Sequence, residues 1–268
     1  MPKKILFINQ EISPYVPESP MALLGKQLPE TIQEKGFEIR TFMPKWGTIN
    51  ERRGQLHEVI RLSGMNINID DNDHPLLIKV ASIPVSRVQV YFIDNEDYFT
   101  KRNMEADDSG QEYADNGERT IFYARGVLET VKKLRWKPDV VICQGWMGAV
   151  IPLYLKTIYS DEPCFAGTKV ITSIFSEHLK NDLGENFKRC IEFREVTADT
   201  LKNYKANFDF LELGKMAIDF SDGVAIAASN ANKDLHNYAL SKDIPVMEYP
   251  GEDFGEAYSN FFKEITKK

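Results

Sequence analysis

Short apolar runs rich in β-branched residues alternate along this chain with longer stretches whose apolar residues recur at helical spacing. Residues 4–9 (KILFIN) form the first run, and residues 21–35 follow with Leu24, Leu28 and Ile32 on one helical face. Gly36 ends this stretch, and residues 38–43 return to the strand pattern. Regular alternation of the two patterns predicts a mainly parallel sheet with helices on its faces.

The alternation continues to the end of the chain. Residues 138–143 (PDVVIC) contain a continuous apolar run with three β-branched residues, which is typical of a strand buried on both faces. Residues 177–194 are mixed and polar, and we expect them to be helical. The remaining pattern predicts strands at 169–174, 223–228 and 246–249, and helices at 118–134, 147–156, 208–220, 231–239 and 256–267.

Residues 55–94 have a different character. Four β-like runs, at 56–62, 65–69, 76–83 and 87–93, are separated by Gly, Asn, Asp and Pro. Such spacing is typical of antiparallel strands, with the last run returning to the main sheet. We therefore predict a single Rossmann-like, doubly wound α/β domain over residues 1–268. It carries a β-rich insertion at about 55–94 and ends with a closing strand and helix at 246–267.

Composition narrows the class of protein. The chain has 268 residues and a formal net charge of -7, which argues against a nucleic-acid surface. No run approaches the ~20 apolar residues of a membrane span, and no signal peptide is visible. The three cysteines and four histidines have no metal-binding spacing, and no motif predicts a cofactor. We expect a soluble, cytoplasmic protein without a metal site or a membrane partner.

The turn after the first strand lacks the chemistry usual at that position. The first strand-to-helix turn of a parallel sheet often binds phosphate through glycine amides, a helix N-terminus and a lysine. Here the turn contains Pro17, Glu18, Ser19 and Pro20, without Gly or Lys. Proline has no amide hydrogen to donate, and a glutamate repels an anion. The sequence therefore predicts a turn that does not bind phosphate.

Two pairs of residues lie where a ligand of a parallel sheet usually binds. Gln144 and Trp146 follow the buried strand 138–143, and Asp115 and Asn116 open the helix 118–134. An amide can hydrogen-bond a sugar and an indole ring can stack on one, but Gln144 cannot act as a general base. A packing tryptophan in a turn and simple helix capping explain the same residues, and both interpretations remain open.

Several segments taken in order resemble the N-terminal, acceptor-side domain of bacterial glycogen synthases and plant starch synthases. The opening strand with Glu11 and Pro14 resembles the family's first strand and its Glu-x-x-Pro segment. Residues 90–99 (VYFIDNEDYF) resemble its Tyr-Phe-Ile-Asp segment, and residues 113–119 (YADNGER) its Tyr-x-Asp-Asn-x-x-Arg segment. These enzymes are ADP-glucose-dependent glucosyltransferases with two Rossmann-like domains, the GT-B architecture. The resemblance implies one half of that architecture and the following ligand-binding positions: Tyr91, Tyr113, Asp115, Asn116, Gln144 and Trp146.

The chain departs from this family at the positions that matter for transfer. The family's nucleotide-sugar lysine falls on Pro17 and its loop aspartate on Leu23. Its His-x-His-Asp-Trp segment falls on residues 142–146, so that Ile142 and Gln144 replace histidines, and a further histidine falls on Ile174. The donor domain has no counterpart in these residues. The resemblance therefore implies a degenerate member, and these losses argue against ADP-glucose as a ligand.

Three functional hypotheses follow. The first is a non-catalytic protein that binds an α-glucan or oligosaccharide, or regulates its metabolism. The second is an active ADP-glucose:α-glucan glucosyltransferase whose donor domain comes from a partner chain. The third is a structural module for protein interaction, using the β-rich insertion and the acidic loop 105–118. Whether the chain is an enzyme stays open, and no residue is predicted to be catalytic.

Overall fold

A computed structural model describes residues 2–267. It contains a mixed sheet flanked by helices, as the alternating pattern predicts. The strands are β1 (Lys4–Asn9), β2 (Glu38–Pro44), β3 (His57–Glu58), β4 (Met65–Ile69), β5 (Asn72–Ser82), β6 (Gln89–Asp94), β7 (Val140–Gln144), β8 (Lys169–Ile174), β9 (Gly223–Ile226) and β10 (Val246–Met247). The helices are α1 (Pro20–Glu34), α2 (Asn116–Leu134), α3 (Ile151–Lys156), α4 (Phe187–Ile191), α5 (Phe210–Asp219), α6 (Lys233–Leu240) and α7 (Phe254–Ile265).

The strand order is β10-β9-β8-β7-β1-β2-β6-β5-β3, and β4 pairs with β5 off this path. All pairings from β10 to β6 are parallel, whereas β5 is antiparallel to β6, β3 and β4. The central strands β1 and β7 have buried residues at nearly every position, because helices cover both faces of the sheet. The α/β, mainly parallel architecture is confirmed.

Two layers of helices cover the sheet. Helices α2, α3, α5 and α6 pack on one face, where they bury residues such as Phe122, Leu213 and Leu235 against Leu6 and Val141. Helices α1 and α7 cover the other face and bury Leu28, Ile32 and Phe262 against Ile5 and Phe7. The closing helix is therefore part of the sheet's apolar covering.

The β-rich insertion differs in detail from its prediction. The predicted strand at 56–62 is wrong for most of its length, because only β3 pairs with β5. The chain turns directly afterwards, where the amides of Leu62 and Ser63 both donate to the Val59 carbonyl, and Ile60 faces solvent. The predicted return strand is confirmed as β6, which lies parallel to β2 and so belongs to the main sheet.

Residues 177–194 form less helix than their polar pattern predicts. Only α4 is helical there, and the residues before it are bends and turns. This loop follows β8 and therefore crosses the carboxyl edge of the sheet, where it approaches the loop after β1. No helix in the described residues is long and apolar enough to cross a membrane.

Candidate functional site

A cleft of about 420 Å³ lies at the carboxyl edge of the sheet, between the loop after β1 and the loop after β8. A third wall comes from residues 104 and 105, which precede α2. This is the location at which open parallel sheets bind ligands. Carboxylates dominate its polar lining: Glu11, Glu18, Glu105 and Glu177. No lysine or arginine lines the cleft.

Gln10 connects residues on neighbouring loops of the cleft through its side-chain hydrogen bonds. Its Nε2 donates to Oε2 of Glu177 at 3.1 Å, and its Oε1 accepts from the Met147 amide at 3.3 Å. Gly145 lies beside it with φ +88°, and a Cβ there would stand 2.6 Å from Oε1 of Gln10. Glycine is therefore required at 145 both for its backbone conformation and for space.

Two carboxyl groups of the cleft, Glu11 and Glu177, have pKa values shifted towards the uncharged form. Burial, and secondarily the neighbouring Glu11 carboxylate, raises the pKa of Glu177 to about 8. Burial also raises the pKa of Glu11, although the Ser19 hydroxyl donates to that carboxylate and opposes the rise. At neutral pH the Glu177 carboxyl is mostly protonated, and an additional anion in the cleft is disfavoured.

The raised pKa of Glu177 makes folding stability depend on pH. An unfolded glutamate ionises near 4.5, whereas folded Glu177 holds its proton until about pH 8. Because the folded state binds the extra proton in this window, stability falls as pH rises through it. We expect Glu177→Gln to remove the loss and to stabilise the protein at pH 8 by on the order of 2 kcal/mol, roughly half of what the full pKa shift gives, because Glu177 is partly exposed to solvent. Thermal unfolding of both proteins at pH 5 and pH 8 measures this, and equal pH dependence would contradict it.

The positions at which the chain departs from the glycogen and starch synthase pattern lie in different parts of the structure. Pro17 is exposed at the rim of the cleft, beside Glu18. Ile174 is buried at the end of β8 and lines a small apolar cavity of about 30 Å³ under α5. Ile142 is buried in the core beneath α1 and α7, and Leu23 lines a separate pocket beside α1. The structure therefore does not bring all four to one cleft.

Gln144 and Trp146 are adjacent in sequence but differ in surroundings. Trp146 lines the cleft but is only 4% exposed, so little of its ring is accessible for stacking. Gln144 is 0% exposed and does not line the cleft. Because Gln144 ends β7 in register with Asn9, it belongs to the α1 and α7 face of the sheet.

The segment 113–119 forms hydrogen bonds that fix the loop containing Glu105. The Glu105 carbonyl accepts from the Tyr113 amide at 3.0 Å and from Nδ2 of Asn116 at 2.9 Å. Asp115 stands at the helix start but makes no capping bond; both its oxygens pair with Arg102 at 2.6 Å. Asp115 therefore occupies the N-cap position without capping the helix through its side chain. A ligand-binding role for these three residues stays a prediction.

Arg119 completes this loop attachment from inside the protein. Its buried guanidinium donates to the carbonyls of Tyr98, Asn103 and Met104 and to Oδ1 of Asn116. Burial lowers its pKa to about 9. The loop entering the cleft at Met104 and Glu105 is thus held through its backbone, which leaves the Glu105 side chain free to face a ligand.

Tyr91 lies apart from the cleft. It is 6% exposed in β6, and its ring stacks on Phe42 at a centroid distance of 4.9 Å. Arg40 lies over the same ring and donates to its hydroxyl. These contacts give Tyr91 a packing role, and the structure does not bring it together with Gln144, Trp146 or Asp115.

The cleft residues that sequence reasoning missed are Gln10, Glu105 and Glu177. Gln10 and Glu177 both follow strands that end at the carboxyl edge, which was the available signal. Among residues 2–267, no group of three or more metal-ligating side chains is close enough to hold an ion. The arrangement presents hydrogen-bond acceptors, an amide and a small accessible part of an aromatic ring, which is chemistry for binding neutral hydroxyl groups.

Comparison with known proteins identifies related sequences. Residues 4–240 match the model of a family described as the starch synthase catalytic domain. A glycogen synthase of Chlorobium limicola is 40% identical over 181 residues, which are 67% of this chain and 37% of that protein. The glycogen synthase of Chlorobaculum tepidum is 38% identical over 172 residues, or 64% of this chain and 35% of that protein. The chain thus spans well under half of the relatives that it matches.

A solved structure shares the fold. The catalytic domain of starch synthase IV from Arabidopsis thaliana, bound to ADP and acarbose, superimposes with a TM-score of 0.70. The match covers 92% of this chain and 52% of that chain, at 17% sequence identity. At this identity the likeness concerns the fold alone.

Proposed function

The chain belongs to the starch synthase catalytic domain family, and from that premise we propose that it is a cytoplasmic, non-catalytic protein that binds α-glucan. Synthases of this family act on a nucleotide sugar, whose diphosphate is an anion. This chain offers a neutral polyol a better environment than it offers an anion. The proposed role is recognition or regulation of a glucan rather than its extension.

One observation carries the proposal: the cleft is lined by four carboxyl groups and by no lysine or arginine, and its one basic side chain is His178. Glucosyl transfer from ADP-glucose requires positive charge on the leaving diphosphate. The position that resembles the family's lysine is Pro17, and its neighbour in the cleft is Glu18. An approaching diphosphate therefore meets negative charge where it needs compensation, so tight ADP-glucose binding is disfavoured.

The same groups suit the hydroxyl groups of a glucan. A carboxylate accepts hydrogen bonds on two oxygens, and a protonated Glu177 adds a donor. Glu11, Glu105 and Glu177 surround the cleft, and Trp146 contributes the accessible part of its ring. We propose that these four residues, rather than Tyr91 or Gln144, contact the glucan.

A second candidate is transfer by this chain with a donor domain supplied by another protein. Its support is the 40% identity to glycogen synthases over 67% of the chain. The acidic cleft counts against it, because a second domain would still have to deliver the diphosphate next to Glu11 and Glu18. One experiment separates the two candidates.

Native electrophoresis in gels with and without glycogen tests the proposal. We expect glycogen to retard the purified chain, and we expect no label in the retarded band after incubation with radiolabelled ADP-glucose. Glu105→Ala should weaken the retardation several-fold, because it removes a carboxylate from the cleft. Glu195→Ala is the matched control: it removes the same charge from an exposed position outside the cleft.

Equal mobility of the wild-type chain with and without glycogen, beside clear retardation of a genuine synthase, would exclude glucan binding. Label in the band of the purified chain would exclude the non-catalytic proposal. Label that appears only after cell extract is added would favour the second candidate. Equal effects of Glu105→Ala and Glu195→Ala would place the glucan outside this cleft.

A further inference from the structure

A row of neutral polar side chains crosses three neighbouring strands beneath α1 and α7. Asn9 of β1 pairs in register with Gln144 of β7, which pairs with Ser173 of β8. Residues paired in this way point to the same face of a parallel sheet. Tyr258 of α7 packs on that face and completes what we call the polar row: Asn9, Gln144, Ser173 and Tyr258.

The row is buried, and among the described residues its side chains make one hydrogen bond, from Nδ2 of Asn9 to the Gly25 carbonyl at 3.5 Å. Gln144, Asn9 and Tyr258 are each 0% exposed, and Ser173 is buried as well. Neither Nε2 nor Oε1 of Gln144 has a partner, and the same holds for Oδ1 of Asn9, Oγ of Ser173 and the Tyr258 hydroxyl. Five unpartnered atoms thus belong to four side chains, of which three are neighbours across the sheet.

Burial of these atoms without partners conflicts with the stability of the fold. Each unpaired buried group costs free energy, and native proteins pair nearly all such groups with protein or ordered water. Ser173 and Tyr258 lie close to each other. Burial raises the pKa of Tyr258, and the nearby Ser173 hydroxyl opposes that rise. Their geometry still makes no hydrogen bond between them.

The donor and acceptor atoms of the polar row determine which chemical group can form hydrogen bonds with them. The Gln144 amide donates and accepts, the two hydroxyls do both, and Oδ1 of Asn9 accepts. None of the four side chains is charged at neutral pH, so an ion finds no counter-charge among them. A hydroxyl group, which both donates and accepts, is the complementary chemistry.

We propose that the polar row is an internal binding site for neutral hydroxyl groups, which ordered water fills in the free protein. The site lies on the opposite face of the sheet from Phe122 and α2, and it does not depend on glucan binding in the acidic cleft. It assigns Gln144 a role in binding hydroxyl groups inside the protein.

An uncharged pocket of about 290 Å³ adjoins the row. Tyr258 and Leu24 are shared between its wall and the α1 and α7 face. Its polar lining consists of amides and hydroxyls, contributed by Gln27, Ser229 and Asn230, with the aromatic ring of Tyr249. A small neutral polyol in this pocket would supply the same hydroxyl chemistry as water.

A high-resolution crystal structure of the protein tests the site directly, with one crystal free of polyols and one soaked in glycerol. Water density within hydrogen-bond distance of Gln144 and of Ser173 or Tyr258 would support the proposal. Glycerol hydroxyl density in the same place would also support it and identify a second source of the hydroxyl group. Absence of density beside the row in both crystals would overturn it.

A pair of tyrosine variants provides a second readout. The buried hydroxyl of Tyr154 donates to the Ile191 carbonyl at 2.9 Å, whereas the Tyr258 hydroxyl has no protein partner. If water satisfies the Tyr258 hydroxyl, we expect Tyr258→Phe to lower the melting temperature by several degrees, and we expect the same of Tyr154→Phe. If the row is dry, Tyr258→Phe removes an unpaired group and raises the melting temperature, which would contradict the proposal.

Discussion

Replacing Arg119 by methionine is expected to lower the free energy of unfolding by about 4 kcal/mol, because each buried acceptor that loses its donor costs roughly 1–3 kcal/mol. Arg119 is 0% exposed and donates to three backbone carbonyls and one amide oxygen. Methionine fills similar space without a single donor. The carbonyls of Tyr98, Asn103 and Met104 would then lose this donor, and the Tyr98 carbonyl would be fully buried without it.

The same substitution should disturb the cleft. The loop that contains Met104 and Glu105 is attached to α2 through Arg119 and Asn116. Losing the guanidinium frees the Asn103 and Met104 carbonyls, so the Glu105 carboxyl is no longer fixed in the cleft. We expect weaker retardation by glycogen in any Arg119→Met protein that still folds.

Denaturant unfolding measures the stability loss. Arg61→Met is the matched control, since Arg61 is exposed and such changes stay within about 0.5 kcal/mol. Arg119→Lys should restore only part of the stability, because an ammonium group cannot reproduce the planar fork of a guanidinium. Equal stability of Arg119→Met and Arg61→Met would contradict the structural role of Arg119.

Replacing Phe262 by alanine is expected to cost about 3–5 kcal/mol, the range for removing a buried aromatic ring. Phe262 is 0% exposed, and its ring packs edge-on against Phe7 and Phe37 at centroid distances of 6.3 and 6.4 Å. It belongs to α7, which lies outside the residues 4–240 that match the family. The segment after residue 240 would therefore contribute a large part of the fold's stability.

This substitution also tests domain organisation. We propose that the residues up to 267 fold as a single cooperative unit, and thermal unfolding of Phe262→Ala should then show one transition at a lower temperature. Lys263→Ala is the control, because Lys263 is the next residue of the same helix but is exposed. An unchanged main transition in Phe262→Ala would show that α7 is separable from the sheet.

The sequence predicts the parallel sheet well, because its strands are continuous apolar runs. The predicted ranges 4–9 and 169–174 coincide with β1 and β8 of that sheet. Prediction was poorer at 56–62 and 177–194, where apolar residues are present but tertiary contacts decide the conformation. The exposed Ile60 shows the difficulty: its neighbours turn back on Val59 instead of extending the strand.

The candidate site was predicted only in part. The missing phosphate chemistry after β1 was evident from Pro17 and Glu18, which do border the cleft. The contact between Gln10 and Glu177 joins residues 167 positions apart, so local pattern could not reveal it. Likewise, YADNGER matched the family as a possible ligand segment, whereas its bonds to the Glu105 carbonyl depend on how the loop folds back.

The central claim is that this cleft binds neutral glucan and does not transfer glucose. The glycogen-containing native gel, incubated after the run with radiolabelled ADP-glucose, measures both properties on one band. The acidic cleft predicts a band that glycogen retards and that stays unlabelled beside a labelled genuine synthase. A labelled band from the purified chain, or a band that glycogen does not retard, would contradict this account.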